Sequence, residues 1–173
     1  VSYHEDVLQQ IIAGYGYNVK VVEESIALAY EGLVDNDLTG IAISMGAGMC
    51  NICVMYQGMS SLSFSVARGG DWIDQNVAND CGCPVAKVTA VKENSNQLDL
   101  TKSAINDIYV FGGGTALVKG FMEVVGEQFN QEDFPIQVKE FTLVEDAHTA
   151  VARGCLSEAQ LIEEEEGEEN NEE

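Results

Sequence analysis

The chain has 173 residues, 46% of them hydrophobic, with a mean hydropathy of −0.02, which fits a globular protein large enough to bury a core. No apolar run reaches the roughly 18 residues of a membrane span and no signal-peptide pattern opens the chain, so no membrane span and a cytoplasmic location are expected. Eight basic residues against 29 acidic give a net charge of −21, which argues against nucleic acid as a partner because phosphate backbones attract Lys and Arg.

Residues 1–39 read as a helix–strand–helix lead-in. Apolar residues at 7, 8, 11 and 12 have helical spacing, which predicts a helix over Glu5–Ala13 ended by Gly14 and Gly16. Asn18–Val22 reads as a short strand. Ser25–Leu33 is rich in Ala and Leu and reads as a helix, stopped by Asp35-Asn36-Asp37.

From Gly40 the pattern changes to apolar runs punctuated by glycine. Strands are expected over 40–45 and 50–56, joined by Gly46-Ala47-Gly48, whose glycines would supply the positive φ of a tight turn. Small residues there also leave backbone N–H groups open to an anion such as phosphate. A third strand over 61–67 follows the Gln57-Gly58 turn, completing an antiparallel meander. Arg68-Gly69-Gly70-Asp71 then leads into a helix over Trp72–Asn79, with Asp71 as the expected N-cap. A second helix spans Pro84–Glu93, and Asn94–Lys102 is polar and irregular. A buried strand over 107–111 ends in Gly112-Gly113-Gly114-Thr115 and is followed by a helix over Ala116–Phe129. A short strand at Pro135–Lys139 and a closing helix at Glu145–Ile162 complete the body.

Residues 163–173 hold eight acids and no base, a run that repels itself and reads as a disordered, solubilising tail. Cys50, Cys53, Cys81, Cys83 and Cys155 are an odd set, as expected of reduced thiols. Cys50 and Cys53 stand three apart within a strand and so point to opposite faces, which disfavours a shared metal. A cysteine-based metal or redox protein is the weakest of the functional alternatives, and no metal ligands are assigned.

The element order implies an α/β fold: a mixed five-stranded sheet, three strands antiparallel and the last two parallel to the first, flanked by helices. Ligands in such sheets collect at strand ends where connections diverge. Both glycine stretches lie at strand ends, and the second opens a helix, where an anion or a ribose finds N–H donors.

Three of these stretches carry a resemblance. Met45-Gly46-Ala47-Gly48 resembles the second phosphate motif of the actin, heat-shock chaperone and sugar kinase ATPase superfamily. Val110-Phe111-Gly112-Gly113-Gly114-Thr115-Ala116-Leu117 resembles its adenosine motif, and Ala67–Asp74 resembles the segment after the meander in bacterial and archaeal actin homologues. The resemblance covers about residues 1–160 and maps residues 40–162 to the second half of an actin-like ATPase, with a ribonuclease H-like fold. It implies ATP or ADP with Mg²⁺ as ligand. Ser44, Gly46, Ala47, Gly48 and Met49 would line the phosphates. Gly112, Gly113, Gly114 and Thr115, with Lys92, would approach the adenosine. The partners implied are nucleotide, further copies in a filament, and a missing N-terminal half or partner chain.

Four departures bear on activity. The family usually carries Asp at the position of Ser44 and Thr at that of Met49, so a carboxylate for the metal shell and a hydroxyl for phosphate are both lost. Because the resemblance maps to the second half, the first half and its catalytic groups are expected to be missing, and Val1, not being a methionine, is expected to open a fragment or a processed form. The stretch between Glu93 and Ile108 is too short for the usual subdomain insert. The expectation is a nucleotide-binding half that is incomplete or impaired alone and does not hydrolyse ATP by itself. The alternative is a degenerate scaffold or filament subunit without ATPase activity.

Overall fold

Alternation along one central strand sets the layers of this protein. On β1 (Gly40–Met45), Ala42 and Ser44 are fully buried on one face, while Ile41 and Ile43 point to the other. The first face is covered by α2 (Glu24–Gly32) and α6 (Ala150–Glu169), the second by α5 (Phe121–Gln131). The computed structural model describes residues 2–93, 108–112, 114–131 and 140–169.

β1 pairs antiparallel with β2 (Cys50–Tyr56), which pairs antiparallel with the edge strand β3 (Met59–Val66). Gln57 and Gly58, with φ of 49° and 78°, turn the chain between β2 and β3. On the other side of β1 lie β4 (Ile108–Gly112) and β5 (Glu140–Leu143), both parallel to it, giving the order β3–β2–β1–β4–β5. The meander and the two parallel strands after it put the ends of β1 and β4 side by side, with Ser44 opposite Gly112.

The core has two parts. Leu28, Leu33, Ala42, Cys53, Met55, Val144 and Ala150 close the α2–α6 side. Ala116 gathers Ile41, Ile43, Phe121, Val125, Phe129 and Phe141 on the α5 side. α2 and α6 cross so closely at Gly154 that a Cβ there would collide with the carbonyl of Ala27. Arg153 reinforces the crossing, with its Nε 2.5 Å from Glu31 Oε1.

Several segments differ from their sequence reading, each for a local reason. Asn18–Val22 forms no strand; Val21 is exposed, and Lys20 reaches across to Glu158 of α6 at 2.8 Å. The helix expected over Ala116–Phe129 is split: a 3-10 turn at Gly114–Leu117 is followed by Gly120 at φ 80° before α5 starts at Phe121. Residues 145–149 are turns, because Asp146 adopts φ 49° and takes a 2.7 Å hydrogen bond from the Thr149 hydroxyl. α6 continues as helix through Glu169, into the acidic run read as disordered. Its first turns are held on α2, Glu is a good helix former, and each like-charge pair costs only about 0.2–0.5 kcal/mol. The strand expected at Pro135–Lys139, the irregular stretch at Asn94–Lys102 and Gly113 lie outside the described residues.

α1 (Ser2–Ala13) is longer than its sequence reading and exposes Leu8, Ile11 and Ile12. α3 (Gly70–Cys81) and α4 (Val85–Glu93) follow the meander and pack on each other. Asp71 is not the N-cap of α3. Gly69 holds that position in extended conformation, and Asp71 lies inside the first turn.

Candidate functional site

The turn between β1 and β2 is built differently from a tight glycine turn. Gly46 N–H donates to Met49 O at 3.0 Å, and neither Gly46 nor Gly48 has a positive φ. Nor does packing require glycine at these two positions. A Cβ on Gly46 would meet only Met49 O at 3.7 Å, and one on Gly48 would meet nothing within 4 Å. The space on this side of the turn is open.

The other side of the turn is fastened to α3. Gly70 N–H donates to Gly46 O at 2.9 Å, and Asp71 N–H donates to Ala47 O at 2.8 Å. Gly69 is needed for that approach, since a Cβ there would stand 2.5 Å from Gly46 O. The Thr115 hydroxyl, carried by the 3-10 turn after β4, adds a second donor to Gly46 O at 3.0 Å. In a trans peptide the C=O and the next N–H point in opposite directions. With the carbonyls of Gly46 and Ala47 aimed at α3, the N–H groups of Ala47 and Gly48 are therefore aimed away from it. Neither donates to an acceptor among the described residues. Two adjacent outward donors are the kind of arrangement that accepts an anion.

Ser44 stands just before this turn, fully buried, and its hydroxyl does not face it freely. Oγ donates to Glu24 Oε1 at 2.7 Å, and the other oxygen of Glu24 accepts from Asn51 Nδ2 at 2.9 Å. Ser65 Oγ in turn donates to Asn51 Oδ1 at 2.7 Å. Ser44, Asn51 and Ser65 are register partners on β1, β2 and β3, so they form a polar rung across the meander with Glu24 at its end. Met49 is 47% exposed on the far arm of the turn. Gly112 ends β4 opposite Ser44, and Gly114 and Thr115 begin the 3-10 turn beside Gly46.

Lys92, on α4, reaches the same place. Its Nζ lies 3.2 Å from where a Cβ of Gly70 would be, and Thr115 Oγ1 lies 2.5 Å from that point. Lys92 is held there by Asp74 Oδ2 at 2.8 Å. The structure thus brings together Gly46, Gly70, Lys92 and Thr115, which are far apart in sequence. The sequence reading missed Glu24 and Asp74. An acid at the start of a helix reads as dipole compensation, which hid Glu24. The signal for Asp74 was its place on the inward stripe Gly70, Asp74, Ala78 of α3, where an acid needs a partner.

Cys53 faces the α2 core from β2, and Cys50 lies on the opposite face of the same strand. Burial pushes the thiols of Cys50, Cys53 and Cys155 up, away from the thiolate form that binds metals. Among the described residues no group of three or more His, Cys, Asp and Glu could hold a metal ion, and no helix is long and apolar enough to cross a membrane.

The sequence profile of the Volactin family matches residues 1–109. The chain belongs to the Volactin family. No curated protein matches it. Among solved structures it is similar to the ethanolamine utilization protein EutJ from Carboxydothermus hydrogenoformans, at 19% identity and a TM-score of 0.60, covering 84% of this chain and 58% of that one. MreB5 of Spiroplasma citri bound to ADP is similar at 13% identity and a TM-score of 0.63, covering 94% of this chain and 66% of MreB5. The MamK filament matches at 16% identity and a TM-score of 0.61, covering 91% of this chain and 64% of MamK. The fold is that of the actin-like ATPases, and the chain spans about three fifths to two thirds of the length of these relatives.

Proposed function

We propose that this Volactin-family chain is the nucleotide-binding second half of an actin-like ATPase, with a ribonuclease H-like sheet, and that it binds ATP or ADP weakly by itself. One observation carries the reading: the outward N–H groups of Ala47 and Gly48, over open space at the end of β1. A phosphate is the natural acceptor for such a pair. Gly46, Ala47, Gly48 and Met49 would line the phosphates, while Gly112, Gly113, Gly114, Thr115 and Lys92 would face the nucleoside. The similar MreB5 was solved with ADP, and with AMPPNP in a second structure, which supports the choice of ligand.

A Mg²⁺ brought in with the nucleotide would find no carboxylate at position 44. Glu24, hydrogen-bonded to Ser44, would be an acid near the turn for the metal's water shell. Phosphoryl transfer depends on charge stabilisation from more than one side, and one wall of a cleft leaves most of a ligand in water, whereas well-formed sites bury roughly 70–90% of it. An affinity of about −5 kcal/mol, in the high micromolar range or weaker, follows for the chain alone, without steady hydrolysis.

Calorimetric titration with Mg-ATP and Mg-ADP tests this. Weak saturable binding that is lost in Gly48→Val, which fills the open side of the turn, is the expected result. Sub-micromolar affinity or steady turnover by this chain would refute the impairment, and no heat at millimolar nucleotide would refute the ligand. The second reading, a scaffold or filament subunit in the cytoplasm without ATPase activity, draws on the engagement of the Ser44 hydroxyl by Glu24 and on MamK having been solved as a filament. Sedimentation with and without nucleotide separates the two: assembly indifferent to nucleotide favours the scaffold.

A further inference from the structure

The edge strand β3 lacks the devices that usually close a sheet edge. Its eight residues, Met59–Val66, carry no charge and no proline, and the irregularity in its pairing with β2 falls at Val54 and Met55, leaving Leu62–Val66 regular. The direction of its free groups follows from the ladder. Gly46 N–H donates to Met49 O, so these two form a hydrogen-bonded pair, and in an antiparallel ladder such pairs recur at every second residue. Asn51 and Cys53 therefore bond to β1, while Ile52 and Val54 bond to Phe64 and Leu62. The backbone N–H and C=O groups of Ser63 and Ser65 are left pointing outward, and among the described residues nothing pairs with them. The side chains alternate as well. Leu62 and Phe64 are 54% and 44% exposed, on the sheet face that carries Ile41 and Ile43. On the α2 face Ser63 Oγ donates to Glu23, and Ser65 Oγ donates to Asn51, which in turn donates to Glu24.

We propose that β3 is a strand-addition site for an extended segment of a partner protein in which basic and apolar residues alternate. The occupant follows from charge and register. Residues directly opposite each other in a sheet share a face. In an added strand, the side chains opposite Ser63 and Ser65 therefore stand on the face of Glu23 and Glu24, and those opposite Leu62 and Phe64 stand on the apolar face. Lys or Arg suits the first set and an apolar residue the second. Main-chain bonds to Ser63 and Ser65 supply affinity, and the alternating side chains supply selectivity. A second copy of this chain fits worse. It offers serine where a base is wanted, and antiparallel pairing of β3 with β3 about Ser63 brings two Glu23 carboxylates together. Each copy also carries a net charge of −21, which repels the other. The proposal is independent of the nucleotide reading.

The test is fluorescence anisotropy on the full chain with a labelled peptide of alternating Lys and Val, as long as β3. Saturable binding is expected, and a peptide of alternating Glu and Val should bind about tenfold more weakly or worse. Backbone methylation separates strand addition from plain attraction to an acidic surface. Methylating the Lys amides, whose N–H groups pair with Ser63 and Ser65, should weaken binding about tenfold, and methylating the Val amides less than about threefold. Ser63→Pro removes an outward donor that β2 does not use, so it should leave the melting temperature within a few degrees and weaken the peptide about tenfold. Glu23→Gln should weaken the peptide about threefold and flatten the salt dependence of its binding. If Ser63→Pro does not fold, the two methylated peptides decide the matter on the unaltered chain. Equal losses for the two methylation patterns, equal binding of the Glu–Val peptide, full binding by a folded Ser63→Pro variant, or no binding at millimolar peptide would each overturn the proposal. A dimer in sedimentation that Ser63→Pro abolishes would assign the edge to a second copy and overturn the choice of partner.

Discussion

Two groups of glycines in this chain look alike in sequence and differ in what surrounds them. At Gly69, Gly70 and Gly154 a side chain would strike neighbouring atoms: the turn carbonyls, the Thr115 hydroxyl and the Ala27 carbonyl. At Gly46 and Gly48 a side chain would meet ordinary contact or open space, and the backbone there has no positive φ. The first group is explained by the fold. The second is not, and it lies where two N–H groups point outward. Small residues that the fold does not demand, next to unused donors, are what a ligand-facing turn requires.

The largest effect should come from the α2–α6 crossing. Gly154→Val pushes a branched side chain into the backbone of Ala27, where no flexible side chain can yield. A loss of about 3 kcal/mol or more is expected, read from the midpoint of urea unfolding. A loss below about 1 kcal/mol would mean that the helices do not approach as closely as described. Gly69→Ala should rank next, at about 2 kcal/mol, since it must separate the β1–β2 turn from α3 or break the bonds to Gly46 and Ala47.

Asp74 gives a pH-dependent contrast of similar size. Its carboxyl lies below the ordinary 3.8 in the folded chain. Its stabilisation is therefore complete above the unfolded value and is lost as pH falls through the folded one. Asp74→Asn should cost about 2 kcal/mol at neutral pH. The gap to wild type should persist down to about pH 4 and close only below it. Unfolding midpoints across that range check this. A gap that closes already between pH 7 and 5 would show that a different group titrates there.

Gly48→Ala sharpens the comparison from the other side. A methyl group in open space should change stability by less than about 0.5 kcal/mol. Nucleotide affinity should nevertheless fall, since the methyl occupies the approach to the outward N–H groups. Equal affinity for the alanine variant would argue that no anion comes close to this turn.

Much of this organisation was legible in the sequence. Apolar runs broken by Gly46-Ala47-Gly48 and Gln57-Gly58 announced the meander, because strand length and turn chemistry are local. Positions whose state depends on distant partners were not legible. Asn18–Val22 has the composition of a strand, but no strand pairs with it among the described residues. Asp71 looked like a cap, whereas Gly69 takes that position and the N–H groups of Gly70 and Asp71 go to a turn more than twenty residues earlier. Glu24 and Asp74 were passed over for the same reason. Their significance lies in Ser44, Asn51, Thr89 and Lys92, which the chain delivers to them only once folded.

The smallest effect on stability concerns the acidic end of α6. Residues 163–169 continue the helix, and Glu163, Glu164 and Gly167 are exposed there, so truncation after Ile162 removes little buried apolar area. It also removes a run of like charges, and like charges three or four residues apart on a helix cost about 0.2–0.5 kcal/mol per pair. The two terms oppose each other. At low ionic strength the melting temperature of the truncated chain should equal that of the full chain or rise by a degree or two, roughly the shift that a few tenths of a kcal/mol produces in a domain of this size. At about 1 M salt, where the Debye length is near 3 Å, the repulsion is screened and any such gain should disappear. Thermal melts of both chains at the two salt concentrations decide it. A drop of several degrees on truncation at either concentration would show that the acidic turns dock on the body, as Lys20 does on Glu158 further up the same helix.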